Sequence, residues 1–270
     1  MTSIQPGSVV VGRGSGPNGD IGIVLGHGFT GSPYSIRDWA DYLAGQGFTV
    51  ALPLLPGHGT RWQDLARTSW QQWYGAYERA WDELARERAA VFAAGLSMGG
   101  TLALRLASHR PVAGAVVVNP ALTTAPAARY AGLLRYAVRS VKAIGNDIKR
   151  AGVDEQSYPR TPVAAVHQLT RLIADTAGRL PAVTAPTLVF RSAVDHVVPE
   201  SSLELIRSRI GSSLVEVVPL PDSYHVATLD NDAETIFART AGFMTAHGHA
   251  VQAKATAQGK AAQGRGEDRA

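Results

Sequence analysis

Residues 89–110 read AAVFAAGLSMGGTLALRLASHR, and this stretch decides the fold. Ala90–Ala94 is a short apolar run closed by Gly95, the pattern of a fully buried strand. Thr101–Ser108 sets Leu102, Leu104 and Leu106 among alanines and predicts a helix. Between them, Gly95-Leu96-Ser97-Met98-Gly99 fits G-x-S-x-G, a sharp strand-to-helix turn that presents a serine. Such a turn strains the serine backbone and points Oγ out of the sheet. Glycines two before and two after remove Cβ atoms that would collide across the turn. The helix begins just behind the serine, so its free N–H groups and positive dipole end favour an oxyanion there. Five residues alone also fit an ordinary Gly-rich βα loop. The strand before and the helix after favour Ser97 as a nucleophile.

Upstream, Gly7–Val11 reads as an edge strand, and GRGSGPNGD (12–20) as a turn cluster. Ile21–Leu25 is a second strand, apolar enough to be buried on both faces. It runs into GHGFTGSP (26–33), an HG-type loop where a serine acyl-transfer site keeps half of its oxyanion hole. The donors would be the backbone N–H of Phe29 and that of Met98. His27 is read as tying this loop down. Pro33–Gly45 predicts a helix with Ile36, Trp39, Ala40 and Leu43 inward, and Phe48–Leu52 a strand. LPGHG (55–59) is a rigid loop with His58 as its anchor. Ser69 and Gln72 form a capping box. Trp70, Trp73, Tyr77, Ala80 and Leu84 then keep helical spacing, which reads as packing against the sheet.

Downstream, Val112–Asn119 is another buried strand, and strands alternating with helices argue for a parallel sheet covered on both faces. The rhythm breaks from Pro120 to about Pro181. Arg129–Ile144 places Tyr130, Leu133, Leu134, Ala137, Val138, Val141 and Ile144 at helical spacing, with Arg135, Arg139 and Lys142 opposite. Thr161-Pro162 predicts a second helix, with Thr161 as cap. Two amphipathic helices make a lid whose apolar side is expected to roof the serine. The sheet resumes at Thr187–Phe190, followed by Asp195 just beyond the strand end. Ser201 and Glu204 read as a capping box, Leu214–Val218 as the last strand, and His225 lies on the loop after it. Asp232 is read as the cap of a closing helix with Ile236, Phe237, Thr240 and Phe243 inward. From 248 the chain has almost no large apolar residue, and a disordered tail is expected over 248–270.

The order Ser97…Asp195…His225 places a nucleophile, an acid and a base each on a post-strand loop. Among the eight histidines, His109 follows a helix on the wrong side of the sheet, and His167 sits inside a lid helix. His247 and His249 are at the fraying end, and His196 adjoins the acid. Asp222 and Asp230 flank His225 but follow no separate strand. No His/Asp/Glu set at metal-ligand spacing stands out.

The motifs GHGFTGSP (26–33), PLLPGHG (53–59), GLSMGG (95–100), NDIK (146–149), LPAVTAPTLVF (180–190), DHVVP (195–199) and SYHVATLD (223–230) run in order over most of the chain. In them the sequence resembles bacterial α/β-hydrolase carboxylesterases of the monoacylglycerol lipase type. The resemblance implies a mostly parallel α/β-hydrolase sheet flanked by helices, with a small helical cap inserted before the last two strands. The expected division is core 1–119 and 182–247, cap 120–181 and tail 248–270. It implies a serine hydrolase of carboxylic esters, monoacylglycerols or medium-chain monoesters, with Phe29 and Met98 as oxyanion donors. It also implies cap contacts from Ile144 and Glu155 to the alcohol part of the substrate. A thioesterase or acyltransferase on the same fold, or a silent ligand-binding relative, are the alternatives. No metal and no cofactor are expected, and the partner is a small ester or lipid.

Net charge is +4 with no Lys/Arg cluster of nucleic-acid type, so no nucleic acid is expected. No apolar stretch reaches membrane-spanning length, and MTSIQPGSVV has no signal-peptide pattern. With no cysteine in the chain, a cytoplasmic monomer or weak dimer without stable membrane insertion is expected.

Overall fold

The computed structural model describes the backbone of residues 9–267 and the side chains of 9–253 other than Arg129. In chain order the elements are β1 (Val9–Val11), β2 (Ile21–Gly26), α1 (Arg37–Gly45), β3 (Thr49–Leu52), α2 (Trp62–Leu65), α3 (Trp70–Glu87), β4 (Ala90–Leu96), α4 (Met98–Ala107) and β5 (Ala115–Val118). Then come α5 (Ala131–Leu134), β6 (Ser140–Lys142), β7 (Arg160–Pro162), α6 (Val163–Arg179), β8 (Thr187–Ser192), α7 (Ser201–Arg209), β9 (Val215–Leu220) and α8 (Ala233–Glu267).

Seven strands form one sheet in the order β1-β3-β2-β4-β5-β8-β9. β1 pairs antiparallel with β3, and the other pairings are parallel. This is the doubly covered parallel sheet that the alternation predicts. Successive strand residues face opposite layers. Ile21, Ile23 and Leu25 pack with α1 and α8 through Trp39, Leu43, Ile236 and Met244. Val24, Val91 and Ala93 pack with α3, α4 and α6 through Trp73, Tyr77, Leu102 and Leu172. Each large buried side chain contributes about 1.5–3 kcal/mol, so both faces of the sheet are committed to the core. The Ser69/Gln72 capping box at α3 forms as read. At α7 it does not: Glu200 is the cap residue, and the Ser202 hydroxyl instead accepts the Leu122 and Thr123 N–H groups. Asp232 stands at the N-cap of α8, where its carbonyl accepts the Ile236 N–H and its side chain accepts the Asp222 N–H.

The insertion between β5 and β8 departs most from expectation. Residues 129–144 do not form one long helix. Pro126–Tyr130 is a 3-10 turn, α5 is a single turn, and β6 pairs with β7 as a small antiparallel ribbon. α6 starts at Val163 with Pro162 before it, and Thr161 lies in β7. Leu172 and Ala165 of α6 join the main core layer. The apolar residues 133, 134, 138 and 141 are exposed and line no part of the cavity at the serine, whereas Ile144, also exposed, reaches its wall.

The end of the chain also departs from its reading. α8 continues through Glu267 instead of ending at 247. Val251 packs on the core, His249 bonds the Pro17 carbonyl, and Gly248 lies against Ile21. Alanine, glutamine and lysine are good helix formers, and a helix already docked through Met244 extends through them without a new nucleus. Gly7 and Ser8 of the expected first strand, and residues 268–270 of the tail, lie outside the described residues.

Candidate active site

β4 delivers Ser97 at its C-terminal end, with α4 starting at the next residue. Ser97 has φ 55° and ψ −115°, a conformation that costs on the order of 1–3 kcal/mol and persists only when overdetermined. Its surroundings supply that. The Ser97 N–H donates to Val118 O at 2.9 Å, and Thr101 N–H donates to Ser97 O at 3.1 Å. The flanking glycines are required by close backbone crossing. A Cβ on Gly95 would stand 2.3 Å from the Gly99 carbonyl carbon, and one on Gly99 would stand 2.0 Å from Gly26 O. So α4 lies directly against the ends of β2 and β4.

Asp195 follows β8 and His225 follows β9, and both reach the same edge as Ser97. His225 Nε2 is 2.9 Å from Ser97 Oγ. His225 Nδ1 is 3.0 Å from Asp195 Oδ2. This geometry requires Nδ1 to carry the proton it donates, which leaves Nε2 to accept from the hydroxyl. Asp195 Oδ1 accepts the N–H groups of Val197 at 2.9 Å and Val198 at 2.8 Å. Burial pushes the Asp195 carboxyl up, and the bond and charge of His225 with the two amides more than offset it. The net effect holds Asp195 below the usual carboxylate range.

The Phe29 and Met98 N–H groups flank Ser97. Phe29 lines the same cavity as Ser97, and Met98 is the first residue of α4. The loop carrying Phe29 is pinned from below. His27 Nδ1 is 2.9 Å from Gly28 O, and Leu55 N–H donates to His27 Nε2 at 3.3 Å. His27 therefore joins the 26–33 loop to the 53–59 loop. Burial holds it near pKa 4, against which the Gly28 bond acts only weakly. His58 is buried beside it, ring centroids 4.9 Å apart, with Trp73 and Phe29 packed edge-on to it. Tyr158, from the insertion, completes the brace. Its hydroxyl donates to Gly57 O at 2.8 Å, and its N–H donates to Thr30 O at 3.1 Å.

Ser97 and His225 open on a cavity of about 230 Å³. Its walls are mostly apolar, with Leu96, Ala121, Val166, Leu169, Ile173 and Val198 among them. Ile144 and Glu155 also line it, as does Asp147. The roof comes from residues 123–128 and α6, not from the outward stripe of 133–141. Among the described residues no cluster of three or more His, Cys, Asp or Glu is arranged to hold a metal ion.

The remaining candidates fall elsewhere. His109 lies on the far side with Tyr74 and Glu78. His196 bonds Asp147 at the rim, and Asp222 pairs with Lys149. Asp230 is buried, and its carboxylate accepts the N–H groups of Lys149, Arg150, Tyr224 and Asn231. It thus ties the 146–150 segment to the His225 loop.

Three further residues were not visible in the sequence. Arg191 Nη1 donates to Asp195 Oδ2 at 2.9 Å. Asn119, with φ 45°, donates from Nδ2 to His225 O at 2.9 Å and accepts the Ser192 N–H at 2.9 Å. Asp147 Oδ2 accepts the His225 N–H at 3.2 Å. Asn119 and Asp147 act on partners far away in sequence, and Arg191 on a partner four residues on. The signals available were an arginine closing the β8 run and an asparagine closing the β5 run, neither of which is specific.

Residues 20–232 match the family model described as serine aminopeptidase, S33. The chain belongs to this family of serine α/β-hydrolases. It is 43% identical to a thermostable monoacylglycerol lipase of Bacillus sp. (strain H-257), over 85% of this chain and 92% of that one. It is 28% identical to a carboxylesterase of Bacillus subtilis (strain 168), over 81% of this chain and 89% of that one. A solved structure from work on the metagenome-derived lipolytic enzymes LipS and LipT superposes with a TM-score of 0.83 and 39% identity. That likeness covers 90% of this chain and 99% of the other. The family's α/β-hydrolase sheet is the one seen here. Among the described residues no helix is long and apolar enough to cross a membrane.

Proposed function

We propose that this hydrolase cleaves carboxylic esters, monoacylglycerols and medium-chain monoesters foremost, through an acyl-enzyme on Ser97. The observation that carries this is the 2.9 Å approach of His225 Nε2 to Ser97 Oγ at the floor of an apolar cavity. His225 takes the Ser97 proton as Oγ attacks the ester carbonyl. Asp195 holds the imidazole tautomer and stabilises the imidazolium that forms. The carbonyl oxygen becomes an oxyanion between the Phe29 and Met98 N–H groups, each worth on the order of 3 kcal/mol in such sites. The alcohol leaves with the proton from His225. Water then enters, loses a proton to His225, and releases the acid from Ser97.

The substrate class follows from the cavity. Its apolar walls suit an acyl chain, whose every buried methylene adds about 0.8 kcal/mol until the space is full. Glu155 at the wall suits a polar alcohol head, with Ile144 packing beside it, in line with the name of the relative, a monoacylglycerol lipase. We assign the protein to the cytoplasm as a monomer or weak dimer, on the composition already described. The test is kcat/KM across acyl lengths for monoacylglycerols, simple esters, thioesters and an aminoacyl anilide, with Ser97→Ala alongside. Medium-chain monoacylglycerols should lead. A clear preference for acetyl esters, thioesters or the anilide would remove the substrate assignment while leaving the serine hydrolase.

A further inference from the structure

The backbone of the base is held from two sides. On the sheet side, Asn119 Nδ2 donates to His225 O at 2.9 Å, and Ser192 Oγ donates to Tyr224 O at 2.8 Å. On the other side, two successive N–H groups go to one residue of the insertion. His225 N–H donates to Asp147 Oδ2 at 3.2 Å, and Val226 N–H donates to Asp147 O at 3.0 Å. His225 stands on the loop after β9, outside any helix or strand. Its backbone groups therefore depend on side chains and loops for partners. A carboxylate makes the stronger kind of bond to such an N–H.

Asp147 is itself fixed by a clasp. Asn146 N–H donates to Glu155 Oε1 at 2.8 Å, and Glu155 N–H donates to Asn146 Oδ1 at 2.8 Å. Asn146 Nδ2 also donates to Val153 O at 3.0 Å. Gly145 and Asn146 have φ 50° and 53°, the left-handed region that glycine and asparagine enter most readily. The clasp closes residues 146–155 into a loop, and Asp147 and Glu155 of that loop both line the cavity. The Asp147 side chain is only 12% exposed. Its Oδ2 accepts the His196 N–H at 3.2 Å, and its Oδ1 lies 2.7 Å from His196 Nδ1. One loop thus touches the cavity and grips the backbone of the base.

We infer that Asp147 is a positioning residue for His225, held in place by the Asn146–Glu155 clasp, so that the insertion sets the approach of His225 Nε2 to Ser97 Oγ. The inference rests on the acyl-transfer reading and adds a residue that touches no reacting atom. A misplacement of about 1 Å costs on the order of 10²-fold in rate, even when it arises away from the chemistry.

The experiment measures kcat and KM on a soluble butyrate ester and the rate of labelling by a fluorophosphonate, which carries no ester alcohol. It compares Asp147→Ala, Asp147→Asn and Asn146→Gly, with melting curves and Ser97→Ala alongside. Asp147→Ala should lose kcat and labelling rate together, by roughly 30-fold, with KM within about threefold of the parent. Asp147→Asn keeps an oxygen for the His225 N–H and an NH2 for His196 Nδ1, and should recover to within about fivefold of the parent. Asn146→Gly suits the backbone there and breaks the clasp, so a loss of roughly fivefold in both rates is expected. Asn146→Gly with Asp147→Ala should lose no more than Asp147→Ala alone, because both act through one bond. Parent-rate labelling in folded Asp147→Ala overturns the inference. So does a loss confined to KM, an Asp147→Asn variant as slow as Asp147→Ala, or losses that add in the double variant. Should Asp147→Ala not fold, parent rates in Asn146→Gly overturn it instead. Turnover persisting in Ser97→Ala would sink the acyl-transfer reading, whichever way the Asp147 variants behave.

Discussion

Replacing Asp195 by asparagine changes one atom at the most connected carboxylate of the site, and its consequences can be worked out. Oδ2 lies 3.0 Å from His225 Nδ1 and 2.9 Å from Arg191 Nη1. Oδ1 accepts two backbone N–H groups at 2.9 and 2.8 Å. The asparagine oxygen keeps those two bonds, so its NH2 group is turned to His225 and Arg191, and donors face donors. His225 must then shift its proton to Nε2, where it can no longer accept from Ser97. The expected loss in kcat is roughly 10⁴-fold, the size of a wrong-tautomer defect. Stability should fall as well. Arg191 is only 9% exposed, and Asp195 is fully buried. Removing one partner of a buried pair costs about 3–5 kcal/mol. Arg191 keeps Val198 O at 2.8 Å and the half-exposed Glu200 at 3.0 Å, so about 2–3 kcal/mol is expected here. Adding Arg191→Met removes the stranded cation and should recover part of that stability without recovering rate. The assay pairs kcat/KM on a soluble ester with urea unfolding of both variants. A single variant as stable as the parent and within tenfold of its rate would refute the reasoning.

Other expectations rest on separate observations. Gly99→Ala should yield no soluble folded protein, because its Cβ would stand 2.0 Å from Gly26 O. Gly178→Ala, with nothing within 4 Å, should raise unfolding free energy by about 0.5–1 kcal/mol, and the two are compared by expression and melting. His27 stays neutral in the fold down to about pH 4 but titrates at 6.5 when unfolded. The unfolded chain therefore gains protons first, and stability should fall by about 3 kcal/mol as pH drops from 6.5 to 4. His27→Gln should flatten that part of the stability–pH curve; an unchanged slope would show that His27 does not supply it. Deleting 254–270 should leave melting and turnover unchanged, whereas deleting 248–270 should lower the melting temperature. Val251, His249 and Gly248 contact the body of the protein; equal melting of both truncations would contradict that docking.

What the sequence made legible were features whose meaning is local. The run Ala90–Leu96 ends in G-x-S-x-G, and the glycines there have one physical use, the crossing of α4 over β2. The apolar strands Ile21–Gly26 and Ala115–Val118 could only be buried on both faces. The order of Ser97, Asp195 and His225 along post-strand loops was readable because a parallel sheet brings all such loops to one edge. The insertion was not readable in the same way. Leu133, Leu134, Val138, Val141 and Ile144 repeat at helical spacing, but a period names a face and not its partner. Here Leu133, Leu134, Val138 and Val141 are exposed, and Ser140–Lys142 gains its hydrogen bonds from Arg160–Pro162 instead. The roles of Asn119 and Asp147 were missed because each acts through a bond to the distant His225 loop, and that of Arg191 because an arginine four residues before an acid carries no specific signal. The helical end was missed because low apolar content was read as disorder, although docking through Met244 and Val251 had already nucleated the helix.

The central claim is that Ser97 is the nucleophile of an acyl-transfer site completed by His225 and Asp195. A serine-reactive phosphonate followed by peptide mass mapping tests it most directly, with Ser97→Ala as the control. The account expects a single adduct on Ser97, no labelling of Ser97→Ala, and turnover in that variant down by several powers of ten with its melting curve intact. An adduct on another residue, or near-parent turnover in folded Ser97→Ala protein, would contradict it.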